Sequence, residues 1–369
     1  MHYETFEVVT EENGASSLKF DLACATAIDH YTRCTKLGEK QLNTSNSVCS
    51  TGLRVYEGAQ VLAAFLSKFG ASLVSSLSED CSFEKPKYWA LELGCGCGLV
   101  GFTTATLFPQ LSVAFTDASV DCLNLINASA KKLGLSLLKS DGTDPAEIPE
   151  GTDGRLLLSY PLEWCEQGTT RLASLLRRLS GHRGRMMNGA VRMVLGSDLL
   201  YYRVDIRALL GTCKSLLNPY DSGEDKEDDH AFSVPRFVVL AHFMRIPDGD
   251  RKLQMAAYEL GFGIVRVPLE AFVTAEVVRR RGWNGISVVL LFLRSSRDFE
   301  PQSLGKGSAW DRREEEDLLE ARMLFCGSSF SLPLEALTRY SRDAAKCNAD
   351  GTRDAVDQCD LDTLPYRVE

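Results

Sequence analysis

Residues 91–101, with the sequence LELGCGCGLVG, sharply restrict the folds open to this chain. They follow the aromatic and apolar residues 88–90 and lead into an apolar run with helical spacing, a pattern typical of a strand, a glycine turn and a helix start. Alternate glycines let the backbone turn sharply and approach a ligand, and the unpaired N–H groups of the helix start can donate hydrogen bonds. The segment therefore predicts a site for a nucleotide-like ligand, with a ligand-free glycine turn as the alternative.

Two acidic residues narrow the choice of ligand. Asp117 closes the apolar run 111–116, about twenty residues after the turn, where a carboxylate can accept hydrogen bonds from ribose hydroxyls. The glycine spacing also satisfies the dinucleotide pattern, so a nicotinamide-dependent oxidoreductase is an alternative. Glu92 favours S-adenosylmethionine, because a carboxylate beside the turn repels a pyrophosphate but attracts a sulfonium and an ammonium group.

Strand-like and helix-like segments alternate along most of the chain. This order predicts an α/β fold with a Rossmann-like, seven-stranded, mostly parallel sheet covered by helices on both faces. The apolar run 263–268 and the last strand are compatible with an antiparallel pair that finishes the sheet. The strands are predicted at 88–93, 111–116, 155–159, 191–196, 237–243 and 287–293, and the helices at 56–77, 99–108, 120–133, 169–180, 204–217 and 252–260.

The segments at either end do not follow this alternation. Residues 1–50 are predicted as an N-terminal extension, with a hairpin around the turn 11–14 and a polar loop over 35–51. Residues 51–295 are predicted as the central domain, interrupted by a solvated acidic loop at 221–229. Residues 296–369 are predicted as an acidic C-terminal extension, helical or partly disordered, with one amphipathic helix at 311–325 and a loose stretch at 347–362.

Charge and cysteine content exclude several classes of function. A formal net charge of -9 argues against a general nucleic-acid binder. No apolar run reaches membrane-spanning length, and the first residues do not resemble a signal peptide. The 12 cysteines lack paired CxxC spacing and the 5 histidines form no constellation, so we expect free thiols, no bound metal and a reducing compartment. We expect the cytoplasm, with the nucleus as a further location.

Four blocks resemble a known family: TGLRVYEGA at 51–59, the glycine turn, PLEW at 161–164 and SDLLY at 197–201. Together they are similar to the seven-strand, S-adenosylmethionine-dependent methyltransferases, and within them to the family 16 lysine methyltransferases that modify proteins. Tyr56 stands where that family usually has tryptophan. The resemblance implies a cofactor site formed by Tyr56, Glu92, Gly94, Gly96, Gly98, Asp117, Trp164 and Ser197, and an acceptor entrance formed by Asp198 and Tyr201.

The resemblance also implies a mechanism. A lysine amine, with a pKa of about 10.4, must lose a proton before it attacks the methyl group, at a cost of about 4 to 5 kcal/mol at pH 7. We expect Asp198 to draw the ammonium in, Tyr201 to orient it, and a dry channel beside the sulfonium to lower its pKa. The expected partner is a protein that presents a lysine, such as a ribosomal or chaperone-type protein.

Other readings stay open. Arginine, histidine, a small amine or RNA can replace lysine as the acceptor, and a non-catalytic descendant would keep the fold as a cofactor-binding module. The basic run 279–281 lies in the predicted connection between the final two strands. A solvated loop is the simplest interpretation of that run, and an acidic protein or a ribosomal RNA surface is the alternative partner.

Overall fold

The computed structural model describes residues 1–9, 17–25, 51–75, 88–140, 155–180, 191–201, 204–217, 236–244, 246, 248–294, 308–325 and 336–340. The turn 11–14, the polar stretch 35–50, the acidic loop 221–229 and the stretch 347–362 lie outside these residues. The strands are β1 His2–Val9, β2 Ser17–Cys24, β3 Tyr88–Leu93, β4 Leu111–Asp117, β5 Leu138–Lys139, β6 Leu157–Pro161, β7 Val191–Ser197, β8 Phe237–Phe243, β9 Phe262–Val267, β10 Ile286–Leu293 and β11 Thr338–Arg339. The α-helices are α1 Glu57–Ser75, α2 Leu99–Leu107, α3 Val120–Lys132, α4 Glu166–Leu179, α5 Ile206–Leu217, α6 Gly249–Glu259, α7 Ala275–Arg281 and α8 Ser308–Phe325.

The central sheet has the strand order β11-β9-β10-β8-β7-β3-β4-β6-β5. Its edge strands β11 and β5 have two residues each, and the seven longer strands lie between them. β3, β4, β6, β7 and β8 are parallel, and β10 runs antiparallel to both β8 and β9. The predicted mostly parallel sheet with an antiparallel end is confirmed.

Helices cover both faces of this sheet because its long strands are apolar on both sides. Along β3, Ala90 packs into the core under α1, α2 and α3, whereas Leu91 and Leu93 pack into the core under α4, α5 and α6. The alternation of side chains along a strand thus divides the interior into two layers. No helix in the described part of the chain is long and apolar enough to cross a membrane.

The N-terminal hairpin is confirmed, and it packs into the domain core. β1 and β2 pair antiparallel over their full length, with Phe6 opposite Phe20. Leu22 and Cys24 are fully buried, and the Ala23 N–H donates to Ser129 Oγ of α3 at 2.8 Å. The hairpin therefore extends the core on the side of α1 and α3.

The C-terminal segment closes one edge of the sheet. β11 pairs antiparallel with β9, and the Ile264 N–H of β9 donates to Asp317 Oδ2 of α8 at 3.2 Å. Asp317 also pairs with Arg294, and Phe325 packs edge-on against Phe237 at 5.5 Å between ring centroids. Residues 308–325 and 336–340 are thus part of the domain, which differs from the predicted separate extension after residue 295, because β9 would otherwise leave a buried edge without a partner.

Candidate functional site

A cavity of about 460 Å³ opens at the carboxyl ends of β3, β4 and β7. β3 pairs with β4 on one side and β7 on the other, so the order of the strands reverses at this point. Ligands of open parallel sheets bind at such a reversal, outside the carboxyl ends of the strands. The volume is that of a small-molecule site.

The glycine turn forms the floor of this cavity. Gly94, Gly96 and Gly98 have φ of 55°, 52° and 80°, in the left-handed region that favours glycine. A Cβ on Gly96 would lie 2.8 Å from Gly52 O, so residues 51–53 pack directly on the turn. The Ala25 N–H holds this segment by donating to Leu53 O at 2.9 Å. A side chain at residue 96 is therefore excluded both by its backbone conformation and by its neighbour.

Asp117 stands at the end of β4 and lines the cavity, as expected. Its Oδ2 accepts from the Gly96 N–H at 3.0 Å, and its Oδ1 accepts from the Ser119 N–H at 2.8 Å. Burial raises the pKa of Asp117, and these two hydrogen bonds act in the opposite direction. The carboxylate thus fixes the glycine turn and keeps lone pairs available for hydroxyl donors in the cavity.

Glu92 does not line the cavity, in contrast to the sequence-based expectation. Its side chain is 1% exposed, and its Oε2 accepts from the Gly101 N–H in the first turn of α2 at 2.8 Å. Strand alternation turns Glu92 towards the layer that contains α2, where Gly98 has no side chain to cap the helix. Burial raises the pKa of Glu92 to about 8, so it is largely neutral at pH 7 and exerts little attraction on a cation.

Aromatic and apolar side chains form the side walls. Tyr56 and Trp164 both line the cavity, and the guanidinium of Arg54 lies 5.5 Å from the centroid of the Tyr56 ring. A Cβ on Gly94 would lie 3.9 Å from Trp164 Cζ2, so the indole packs beside the turn. An indole in this position offers a flat apolar surface to a purine.

The third group of predicted residues, Ser197, Asp198 and Tyr201, lines the cavity at the end of β7. Asp198 has a left-handed backbone with φ of 53°, and its N–H donates to Ala241 O at 2.8 Å. Its Oδ2 accepts from the Gly58 N–H at the start of α1 at 2.8 Å. A non-glycine residue in this conformation carries strain that often occurs at functional sites.

The charge of the cavity lining favours a cationic ligand. Asp117, Glu163, Asp198 and Asp205 contribute carboxylates, and Arg54 contributes the single guanidinium among these lining residues. A pyrophosphate would be repelled here, whereas a sulfonium and an ammonium are attracted. The electrostatic argument that the sequence placed on Glu92 therefore holds for other carboxylates. Within the described residues, no group of three His, Cys, Asp or Glu side chains could hold a metal ion.

Several lining residues were not among the predicted site residues. Gly52 packs on the turn, and Cys97 and Cys122 lie in the cavity wall beside it. Cys97 Sγ donates to Gly52 O at 3.5 Å. Proximity to the glycine turn and to the end of β4 was a signal for both cysteines, whereas the approach of Gly52 depends on contacts between residues distant in sequence.

Comparison with known proteins gives one family match. A family model described as lysine methyltransferase matches residues 37–136. The matched segment contains the glycine turn and Asp117, and it ends before Trp164, Asp198 and Tyr201. No curated protein matches the chain.

Three solved structures illustrate the similarity in fold. A SAM dependent methyltransferase from Aquifex aeolicus has 9% identity and a TM-score of 0.32, and the alignment covers 64% of this chain and 98% of that one. A predicted O-methyltransferase from Agrobacterium tumefaciens has 13% identity and a TM-score of 0.32, with 67% and 96% covered. A geranyl diphosphate C-methyltransferase from Streptomyces coelicolor A3(2) has 14% identity and a TM-score of 0.31, with 68% and 82% covered.

The donor half of the cavity lies largely within the segment that the family model matches. The seven long strands have the order of the seven-strand methyltransferases, with the antiparallel strand β10 between β8 and β9. We conclude that the chain is a class I, S-adenosylmethionine-dependent methyltransferase.

Proposed function

We propose that the chain transfers a methyl group from S-adenosylmethionine to the side-chain amine of a lysine in a protein substrate. The observation that carries the proposal is the position of Asp198, a half-buried carboxylate at the end of β7 in the wall of the donor cavity. A carboxylate at this place attracts an ammonium group to the point where a methyl group would be transferred.

The glycine turn, Asp117 and Trp164 would hold the donor. The close backbone at Gly94 and Gly96 leaves room for its methionine portion, Asp117 can accept from ribose hydroxyls, and Trp164 can cover the adenine. When bound, S-adenosylmethionine supplies a methyl group on a positively charged sulfur. The carboxylates of the lining balance that charge.

Asp198 and Tyr201 would act on the acceptor. The Gly58 N–H fixes one carboxylate oxygen of Asp198, and a carboxylate with about four lone-pair sites can still accept from an ammonium. Tyr201 lies three residues further along the same cavity wall, where its hydroxyl can orient the amine. The amine must lose its proton before it reacts, and water at the open side of the cavity can take the proton away.

The family match supports this choice of acceptor through its description as lysine methyltransferase. Because the match ends at residue 136, the acceptor chemistry depends on the arrangement of Asp198 and Tyr201. Ribosomal and chaperone-type proteins are the partners that we propose to test first.

The test is a labelling experiment. Purified protein is incubated with methyl-tritiated S-adenosylmethionine and a cell lysate, and the labelled band is analysed by mass spectrometry. We expect a methylated lysine, and we expect Asp198→Asn to abolish the label while S-adenosylhomocysteine still binds. A methyl group on arginine, histidine, a small amine or RNA would contradict the proposed acceptor, and cofactor binding without any label would indicate a non-catalytic module.

A further inference from the structure

A second cavity, of about 1030 Å³, lies beside the donor cavity and takes no part in the functions assigned above. It is a groove between β1, one face of α1 and the connection from β9 to β10 that includes α7. Leu99 lines both cavities, so the two are neighbours. We call it the β1–α7 groove.

The groove leads away from the acceptor end of the active site. The residues of α1 that line it are Gln60, Ala64, Ser67 and Lys68, which share one face of that helix. Gly58, in the turn before Gln60, donates to Asp198. From Gln60 to Lys68 the helix rises about 12 Å, the length of about three to four residues of an extended chain. A segment in the groove therefore has one end next to Asp198.

The free edge of β1 forms one side of the groove. Thr5, Phe6, Glu7 and Val8 all line it, although successive side chains of a strand point to opposite faces. Contact with four consecutive residues means that the groove runs along the edge of the strand. Among the described residues β1 pairs with β2 alone, and no β2 residue lines the groove, so the edge facing it is the one away from β2. An exposed strand edge recognises an extended peptide through backbone hydrogen bonds.

The opposite side of the groove is basic. Arg280 and Arg281 of α7 and Lys68 of α1 line it, with Glu7 and Glu270 as the acidic lining residues. Glu7 is already engaged, because its Oε1 accepts from Ser17 Oγ at 2.7 Å and lies 4.0 Å from Lys19 Nζ. The remaining charge is positive and is complementary to acidic side chains.

One buried donor in the wall of the groove lacks an acceptor. Trp283 lines the groove, is 5% exposed, and has an indole N–H with no hydrogen-bond partner among the described residues. A buried donor without an acceptor is destabilising, and a peptide carbonyl is an acceptor of the required kind. Together with Phe6 and Phe272, the indole also provides an apolar contact surface.

We propose that the β1–α7 groove binds an extended, acidic segment of the protein substrate by adding it as a strand to β1. This inference rests on the proposed protein-lysine activity and specifies its substrate class. The acidic residues lie about three to four positions from the target lysine, because the basic end of the groove is about 12 Å from the acceptor entrance.

The test uses fluorescein-labelled peptides of 11 residues with a central lysine in an alternating valine and serine background. One set carries aspartate three and four positions before or after the lysine, a second carries asparagine there, and a third carries arginine. Binding to the full chain is measured by fluorescence anisotropy in the presence of S-adenosylhomocysteine. We expect the aspartate set to bind at least about tenfold more tightly than the asparagine set, with an affinity that falls as salt rises.

A matched pair of variants locates the binding. The double variant Arg280→Glu/Arg281→Glu reverses two charges in the groove, and we expect it to remove the preference for aspartate. Arg279→Glu reverses an exposed charge on the same helix that does not line the groove, and we expect it to leave the preference intact. N-methylation of alternate peptide amides should weaken binding in one register by about 2- to 12-fold per lost hydrogen bond, and much less in the other register.

The same peptides with tritiated donor separate this inference from the proposed function. Peptides that bind through Arg280 and Arg281 but are never methylated would overturn the lysine activity and leave the groove in place. Methylation that ignores the flanking charge would support the activity and overturn the groove. The groove is also refuted if no peptide binds, if Arg279→Glu has the same effect as the double variant, or if a labelled RNA oligonucleotide binds through these arginines in place of the peptides.

Discussion

Substitution of Gly96 by alanine tests whether the glycine turn is a contact surface for the donor. Gly96 has φ of 52°, and an added Cβ would lie 2.8 Å from Gly52 O and 3.3 Å from Gly52 Cα. The left-handed backbone costs an alanine about 1–2 kcal/mol, and an overpacked contact adds about 1–3 kcal/mol. We expect Gly96→Ala to lower the free energy of unfolding by about 2–5 kcal/mol and to weaken donor binding at least about tenfold.

Gly134 provides the matched control. It also has a left-handed backbone, with φ of 68°, but an added Cβ would meet nothing within 4 Å. Gly134→Ala should therefore carry only the backbone cost, about 1–2 kcal/mol or a fall in Tm of about 2–8 °C, with no loss of donor affinity.

Urea unfolding gives the stability of both variants, and isothermal titration with S-adenosylhomocysteine gives their affinity. Unchanged affinity in Gly96→Ala would refute the assignment of the turn as the donor floor. An equal loss of affinity in Gly134→Ala would show that lower stability, and not the blocked cavity, weakens binding. Both measurements are made well below the Tm of the variants, so that unfolded protein does not contribute.

Three further predictions concern single carboxylates. Asp198→Asn keeps the shape of the side chain and removes its charge; an ammonium about 4 Å away is held by about 4 kcal/mol at an effective dielectric constant of about 20, so kcat/KM should fall by about 100- to 1000-fold while donor affinity changes by less than about threefold. An equal fall in both quantities would make Asp198 a structural residue. Because burial raises the pKa of Glu92 from 4.5 to about 8, the native state holds a proton that the unfolded state releases, and this contribution to stability is lost as the pH rises from about 5 through 8. Glu92→Gln should flatten that decline, measured as urea unfolding at pH 6 and pH 9, and an unchanged slope would exclude Glu92 as its source. Asp317→Ala leaves Arg294, which is 6% exposed, without its buried partner and should lower the free energy of unfolding by about 3–5 kcal/mol, whereas Glu316→Ala on the exposed side of the same helix should lower it by less than about 1 kcal/mol; similar losses would contradict the anchoring of α8 through Asp317.

The sequence predicted the parallel part of the fold closely. β3 and β8 have the predicted bounds, because apolar runs flanked by polar residues and turns define a buried strand locally. α4 begins at Glu166, three residues before the predicted start. Its N-cap is Cys165, whose Sγ accepts from the Gly168 N–H at 3.4 Å, and cysteine is not among the residues that signal a helix start.

The sequence also identified most of the site, but it did not give the direction of every side chain. Asp117 and Asp198 follow strands of one parallel sheet, and the carboxyl ends of such strands meet at one edge, so both could be placed near a ligand in advance. Glu92 lies within a strand, and whether its side chain meets the cavity or α2 depends on which face α2 covers. Periodicity shows that the faces alternate, without showing which one a ligand uses.

Local patterns in the sequence by themselves determined the order of strands and helices, the glycine turn and the two carboxylates at strand ends, because each depends on residues close together in the chain. Only the tertiary structure decided that Gly52 packs on Gly96, that α8 and β11 cover β9, and that β1 and α7 border one groove. These contacts join residues distant in the sequence. Their geometry depends on how all the elements pack together, and no local pattern encodes it.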